Sequence, residues 1–218
     1  MNYSTVLEKR FADYLKEMVS DLTGIPRLDL DKFEVKNREL PSEWNIDGRP
    51  MLVRELMTRI GNDMGRSVHP SIWCIATLKD FNPKENFWAI SDLRYPNEVE
   101  WIKRYGGITI RVIRLLTIDE WSKIFDFTDW LERFDLDRKK LFTSEEFFAI
   151  IRSLSTQYSL DSASEKARMN FNAMQSPSET SLKNSDEHDI VLYNKGTLED
   201  LRDALYKELM WYTTKKDL

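Results

Sequence analysis

An aspartate and an arginine stand two positions apart in ISDLRYPNEVEWIKRYGGITIRVIR, residues 90–114. Asp92 and Arg94 follow a short apolar run and precede a proline that can open a helix. Open α/β sheets bind ligands in the crevice beyond the carboxyl ends of their strands, which is where this pair would lie. There Arg94 could grip a phosphate through two parallel N–H···O bonds, and Asp92 could orient a basic partner or a metal-bound water. The same two residues could instead form a structural ion pair capping the next helix. Four further arginines, Arg49, Arg54, Arg59 and Arg66, come earlier in the chain. Arg59 and Arg66 are seven apart and share a helix face, which suits a phosphate or a solvated surface. Arg111 and Arg114 end the next strand, as ligand contacts or as an exposed edge. Ser178 and Glu179 stand in a turn-like stretch. His69, His188 and Cys74 make no metal-ligand spacing, and Cys74, inside SIWCIATL, reads as a core thiol.

Other chemistries lack their residues. A loop that cradles phosphates with GxxxxGK[ST] needs glycines for close backbone approach and a lysine for the outer phosphates. None of the seven glycines here is followed by lysine. There is no GxGxxG, and no Ser/His/Asp or Cys/His set.

The elements that would position these side chains follow from periodicity. Residues 4–23 have helical spacing with Leu7, Phe11, Leu15, Met18 and Leu22 on one face. Gly24 and Pro26 stop that helix. Residues 25–48 read as a loop. Residues 50–66 are helical again, and Pro70 opens a helix to about 79. FWAIS (87–91) is a strand, Pro96 to Tyr105 a helix, and ITIRVI (108–113) a second strand after Gly106 and Gly107. Strand, helix and strand make a βαβ unit, with parallel strands and a right-handed crossover. A later strand, DIVLYN (189–194), leads into a helix from Thr197 to about Thr213, with Leu198, Leu201, Leu205 and Leu209 inward. Residues 115–175 are rich in Trp, Phe and charge, and are helical over 118–134 and 143–155. Their aromatics suit the core of a helical insert, or a partner-binding surface. The Ser- and Asn-rich stretch 155–185 reads as a loose connection. The expected fold is α/β, an open parallel sheet with a helical insert.

Composition sets outer bounds. With 218 residues, 41% hydrophobic and 32% charged, the chain can bury one sizeable core and at most a smaller insert besides. The formal net charge of −5 gives no general attraction to nucleic acid. One cysteine excludes an internal disulfide. No apolar run is long enough to span a membrane. The charged N-terminus MNYSTVLEKR lacks a signal peptide's apolar stretch, so the expected compartment is the cytoplasm.

Four segments, in order, resemble the deoxynucleoside monophosphate kinases of large tailed bacteriophages, which are P-loop enzymes. RFADYLKEMVSDLTGI (10–25) looks like the segment after their first helix. GRPMLVRELMTRIGNDMGRSVHPSIW (48–73) looks like their arginine-rich helix, glycine turn and tryptophan. WAISDLRYPNEVEWIKRYGGITIRVIR (88–114) resembles their strand, Asp-x-Arg-x-Pro-Asn-Glu turn, helix and Gly-Gly strand. SPSETSL and DIVLYNKGTLEDL (176–201) resemble their Ser-Glu turn, closing strand and Asn-x-Gly helix start. The resemblance covers most of the chain outside 115–175.

The resemblance implies a kinase-like α/β core over 1–114 and 176–218, with 115–175 as a lid-like insert. It implies phosphoryl transfer from ATP, with Mg²⁺, to a deoxynucleoside monophosphate, in the supply of DNA precursors within the cytoplasm of a phage-infected host. By the same resemblance, Asp92, Arg94 and Arg114 would form the catalytic set. Lys16, Arg54, Arg66, Trp73, Glu179 and Asn194 would bind substrate, with Asn194 and Gly196 near the nucleotide base. Arg111 and Arg114 would approach with the lid. Such chemistry rests on positioning and electrostatics. The family's first strand and Walker A loop would precede residue 10 and have no counterpart here. The acceptor half is therefore expected without the ATP half, and the sheet is expected to lack a central strand. That leaves three expectations: a fragment completed by a second chain or by self-association, a shortened relative that binds a deoxynucleotide or a protein partner without catalysis, or an unrelated α/β protein.

Overall fold

The computed structural model describes residues 6–156, 158–174, 182 and 188–216. The chain divides into two units, Met1–Gly107 and Ile108–Leu218.

The first unit begins with a strand where helical spacing was expected. β1 (Leu7–Lys9) runs parallel to β2 (Trp88–Ile90), with Leu7 opposite Trp88 and Lys9 opposite Ile90. Pairing with a strand some eighty positions away takes Leu7 out of the helix, and α1 spans only Asp13–Thr23. It ends, as expected, at Gly24, whose positive φ of 70° suits a residue without a Cβ. Phe11, Lys16 and Val19 are buried, whereas Met18 and Leu22 are exposed. Residues 25–48 are a chain of short turns: a 3₁₀ turn (Arg27–Asp31), the one-turn helix α2 (Phe33–Lys36) and a second 3₁₀ turn (Ser42–Trp44). Leu30 pins them by complete burial, a contribution of about 1.5–3 kcal/mol for such a side chain.

α3 (Val53–Thr58) continues without interruption into a π-helical stretch, Arg59–Arg66. The next helix, α4 (Ile72–Leu78), supplies a reason for the wider turn. The Trp73 indole N–H donates to the Gly61 carbonyl at 2.9 Å, and its ring lies so close to Gly65 that a Cβ there would collide with it. α5 (Pro96–Arg104) opens on its proline and ends before Gly106, where φ is 76°. Phe11, Val19, Leu30, Val53, Trp73 and Cys74 centre the core. Burial pushes the Cys74 thiol up to about 12, so it stays protonated and packs as a small apolar side chain.

The second unit contains β3 (Ile110–Arg114), β4 (Leu116–Thr117), α6 (Ile118–Phe125), α7 (Thr128–Leu131), β5 (Leu141–Phe142), α8 (Ser144–Ser155), α9 (Glu165–Ala173), β6 (Ile190–Asn194) and α10 (Leu198–Lys216). β3 and β6 are parallel and in register from Ile110–Ile190 to Arg114–Asn194. β4 and β5 form a short antiparallel pair. α6 and α8 each start with a reciprocal cap. Thr117 and Glu120, then Thr143 and Glu146, exchange side-chain and backbone hydrogen bonds. The aromatics between Trp121 and Phe148 form its core. Phe127, Trp130, Phe147 and Phe148 are buried, and Phe125 meets Phe148 edge-on at 4.7 Å. The polar ends of the tryptophans are satisfied: Trp121 donates to the Phe142 carbonyl and Trp130 to that of Ser159.

Several expectations change. Among the described residues β2 pairs with β1 and β3 with β6, so the expected βαβ neighbours are not paired, and two parallel pairs stand in place of one sheet. Strand choice is set by long-range backbone pairing, which periodicity does not encode. The unit boundary falls at Gly107, so β3 and β6 group with the 115–175 helices and not with residues 1–107. The stretch 155–185 is helical over Glu165–Ala173, because Ser164 caps the helix and Ala167 is fully buried. Much of its remainder lies outside the described residues. On α10, Leu198 is exposed while Leu201, Leu205 and Leu209 are half-buried. No helix among the described residues is long and apolar enough to cross a membrane.

Candidate functional site

Asp92 leaves the carboxyl end of β2 and binds backward, to the start of α1. One carboxylate oxygen accepts the Phe11 N–H at 2.8 Å and the other the Ala12 N–H at 3.0 Å. These amides lead into α1, where a negative charge is favoured. The helix it caps is thus α1, some eighty residues away, and not the adjacent α5. Both oxygens are engaged in holding β2 to α1.

Lys16 is buried on α1, and its ammonium meets Asp31 at 2.5 Å. Asp31 also meets Arg27 at 3.0 Å and Arg10 at 3.3 Å. Burial alone would raise the Asp31 carboxyl, but hydrogen bonds from Lys16 and Arg27 outweigh it and hold the group down to about 2. Lys36, at the end of α2, has no such partner: its ammonium makes no hydrogen bond or ion pair among the described residues. Burial, then the positive charge of Lys16, pull it below the ordinary lysine value; Asp31 opposes them, and Arg54 and Arg94 add to them. Arg54 lies 6.0 Å from the centre of the Phe33 ring, with no carboxylate paired to it among the described residues. Lys36 sits in an aperiodic stretch and belongs to none of the segments that carry the resemblance.

Arg66 and Trp73 act as framework. The Arg66 guanidinium donates to Glu98 at 2.7 Å and to the Pro70 carbonyl at 3.0 Å, and stacks 3.9 Å from the centre of the Tyr95 ring. Glu98 is almost wholly buried. Its second oxygen accepts the backbone N–H groups of Arg94 and Tyr95, at 2.7 and 3.0 Å. One carboxylate thus locks the turn that presents Arg94 and anchors Arg66. Glu98 was visible in the sequence as the glutamate two residues after Pro96, where a helix N-terminus favours an acid. Arg49 and Arg59 both pair with Glu55. The Arg49 hydrogen bond, against a smaller desolvation and aided by Arg59, holds the Glu55 carboxyl down to about 2.

In the second unit, Arg114 is exposed and stands opposite Asn194 in the β3–β6 register. Arg111 pairs with Glu145 of α8 at 3.0 Å, so the insert is tied to the strand. The Asn194 side chain accepts the Gly196 N–H at 3.0 Å. Tyr193, Asn194, Lys195, Gly196, Asp200 and Leu201 line an open pocket of about 300 Å³. Gly196 lies close to the Asp200 carboxylate that caps Thr197, so a Cβ there would have to push that side chain aside. Glu179 lies outside the described residues. Asp92, Arg94, Lys16, Arg54, Arg66 and Trp73 belong to the first unit, and Arg114 and Asn194 to the second.

No family model, curated protein or solved structure matches this chain.

Proposed function

We propose that the first unit binds the phosphate of a deoxynucleoside monophosphate, as the acceptor side of a protein of the phage deoxynucleoside monophosphate kinase kind. The observation that carries this reading is the group of cations, Arg10, Lys16 and Arg27, that meet on the single carboxylate of Asp31 at 3.3, 2.5 and 3.0 Å. A phosphate is the anion that such a group of cations suits. In an infected host such binding would serve DNA precursor supply.

The described residues do not fit Mg²⁺-ATP. The Asp92 oxygens are taken by backbone amides, and the chain has no glycine-rich loop followed by lysine. The reading is therefore of acceptor binding, with transfer dependent on an ATP site supplied otherwise. The test is calorimetric titration with each deoxynucleoside monophosphate, alongside ADP release in ATP and Mg²⁺. Binding without ADP release above the no-acceptor background is expected. Failure to bind any monophosphate would end the reading, and turnover lost in Arg94→Ala would make the chain a kinase in its own right.

A second reading concerns partners. Parallel sheets are ordinarily covered on both faces and seldom stop at two strands. Here each parallel pair has two strands among the described residues, and Val112 and Tyr193 are half-exposed on β3 and β6. This favours a second copy of the chain, or another polypeptide, completing a sheet.

A further inference from the structure

Asp31 ends the first 3₁₀ turn, and its carboxylate is gripped by three donors. One oxygen accepts from the Lys16 ammonium at 2.5 Å; the other meets Nη1 of Arg27 at 3.0 Å and Nη1 of Arg10 at 3.3 Å. Both guanidiniums are also fixed by other carboxylates. Arg10 donates its Nε and Nη2 to Glu8, and Arg27 donates its Nη2 to Asp13, so each offers Nη1 to Asp31. Lys16 differs: its buried ammonium has no other hydrogen bond or ion pair among the described residues. A buried ammonium left without an anion is costly, so this cradle needs an anion in it. The occupant it has is a side chain that can move. Leu30, wholly buried, pins the backbone of the turn, whereas the Asp31 carboxylate is about a third exposed and can leave by rotating about its own side-chain bonds.

Resting on the reading that this unit binds a nucleotide phosphate, we propose that Asp31 is a built-in occupant of the phosphate site, displaced when a phosphate monoester dianion binds to Arg10, Lys16 and Arg27. Without ligand, the carboxylate completes the framework and keeps the cradle closed. The group is held down to about 2, so it is charged wherever the monoester is a dianion. An incoming anion must therefore displace one that is already attached. A phosphodiester or a free carboxylate brings one negative charge and exchanges like for like. A monoester above neutral pH brings close to two, with three acceptor oxygens for the three donors. The tethered aspartate thus lowers the affinity for every anion and sets a threshold that dianions pass more readily.

The experiment is calorimetric titration of the full chain, as wild type, Asp31→Asn and the double variant Asp31→Asn with Arg10→Gln, using deoxythymidine monophosphate and its phosphate methyl ester at about pH 7.5. Asparagine keeps the shape of the occupant without its charge. Asp31→Asn should bind the monoester about fivefold or more tightly than wild type, and gain at least as much for the methyl ester, so that the preference for the monoester narrows. Adding Arg10→Gln should take back about threefold or more, which ties the gain to this cradle. Urea denaturation is the control for folding. Without ligand Asp31→Asn should be less stable than wild type, and inorganic phosphate should raise its midpoint more than that of wild type, against chloride at equal ionic strength. Binding seen only in Asp31→Asn would support the proposal, because the wild-type cradle is then fully closed. If the wild type binds the monoester and Asp31→Asn binds it no more tightly, with no greater rescue by phosphate in urea, the occupant role is overturned and the phosphate reading stands. A double variant that binds as tightly as Asp31→Asn would place the phosphate elsewhere and overturn the proposal as well. If neither wild type nor Asp31→Asn binds either ester or is stabilised by phosphate, both readings fall.

Discussion

At the scale of single residues, the first unit gathers several of its cations on one carboxylate. Asp31 is framework: three cations meet it, and its carboxyl is held down to about 2. A group whose folded pKa lies below its unfolded value stabilises the protein above the unfolded pKa and loses that contribution as pH falls toward the folded one. Stability from Asp31 is thus present above about pH 4 and is lost between there and about 2. Asp31→Asn should lower stability by about 1–2 kcal/mol at neutral pH, a figure kept small by partial exposure, and should flatten the acid limb of a urea-denaturation series. An acid limb unchanged from wild type would contradict that role.

At the scale of elements, two joints set the site. Asp92 fastens β2 to the start of α1 through two backbone amides. Asp92→Ala would leave both without their acceptor and should cost about 1–3 kcal/mol, read by chemical denaturation. A catalytic role would instead leave stability near wild type and abolish turnover. The other joint is the π-helical turn ending at Arg66. Gly65 lets the Trp73 ring approach, so Gly65→Ala must displace a buried tryptophan. It should destabilise by about 1–3 kcal/mol, with a shift in tryptophan fluorescence, and should loosen the Arg66–Glu98 pair. A fluorescence spectrum identical to wild type would show that the turn does not depend on that contact.

At the scale of the whole molecule, the open question is what completes the sheets. β3 and β6 form a regular five-residue parallel pair, yet Val112 and Tyr193 stay half-exposed. Exposed β-branched edges invite pairing with another chain. Light scattering after size exclusion should find concentration-dependent association of the purified protein, and Val112→Lys should shift it toward monomer. A chain that stays monomeric at every concentration would overturn the self-association reading.

The sequence by itself determined the elements whose cause is local. Gly24 and Gly106 end helices because they can take positive φ, and Pro96 opens α5 because its missing N–H is not needed there. The alternating apolar runs at 108–113 and 189–194 became β3 and β6, and the aromatics of 115–175 became core. The resemblance named Lys16, Arg54, Arg66 and Arg94 as phosphate ligands, and all four belong to the first unit. The tertiary structure alone decided the rest, for one physical reason: these features depend on pairing and burial between residues far apart in the chain. Residues 7–9 became a strand because 88–90 offered backbone partners, and on α1 Lys16, not Leu22, faces inward. Asp92 became a tether because two amides eighty positions away needed an acceptor.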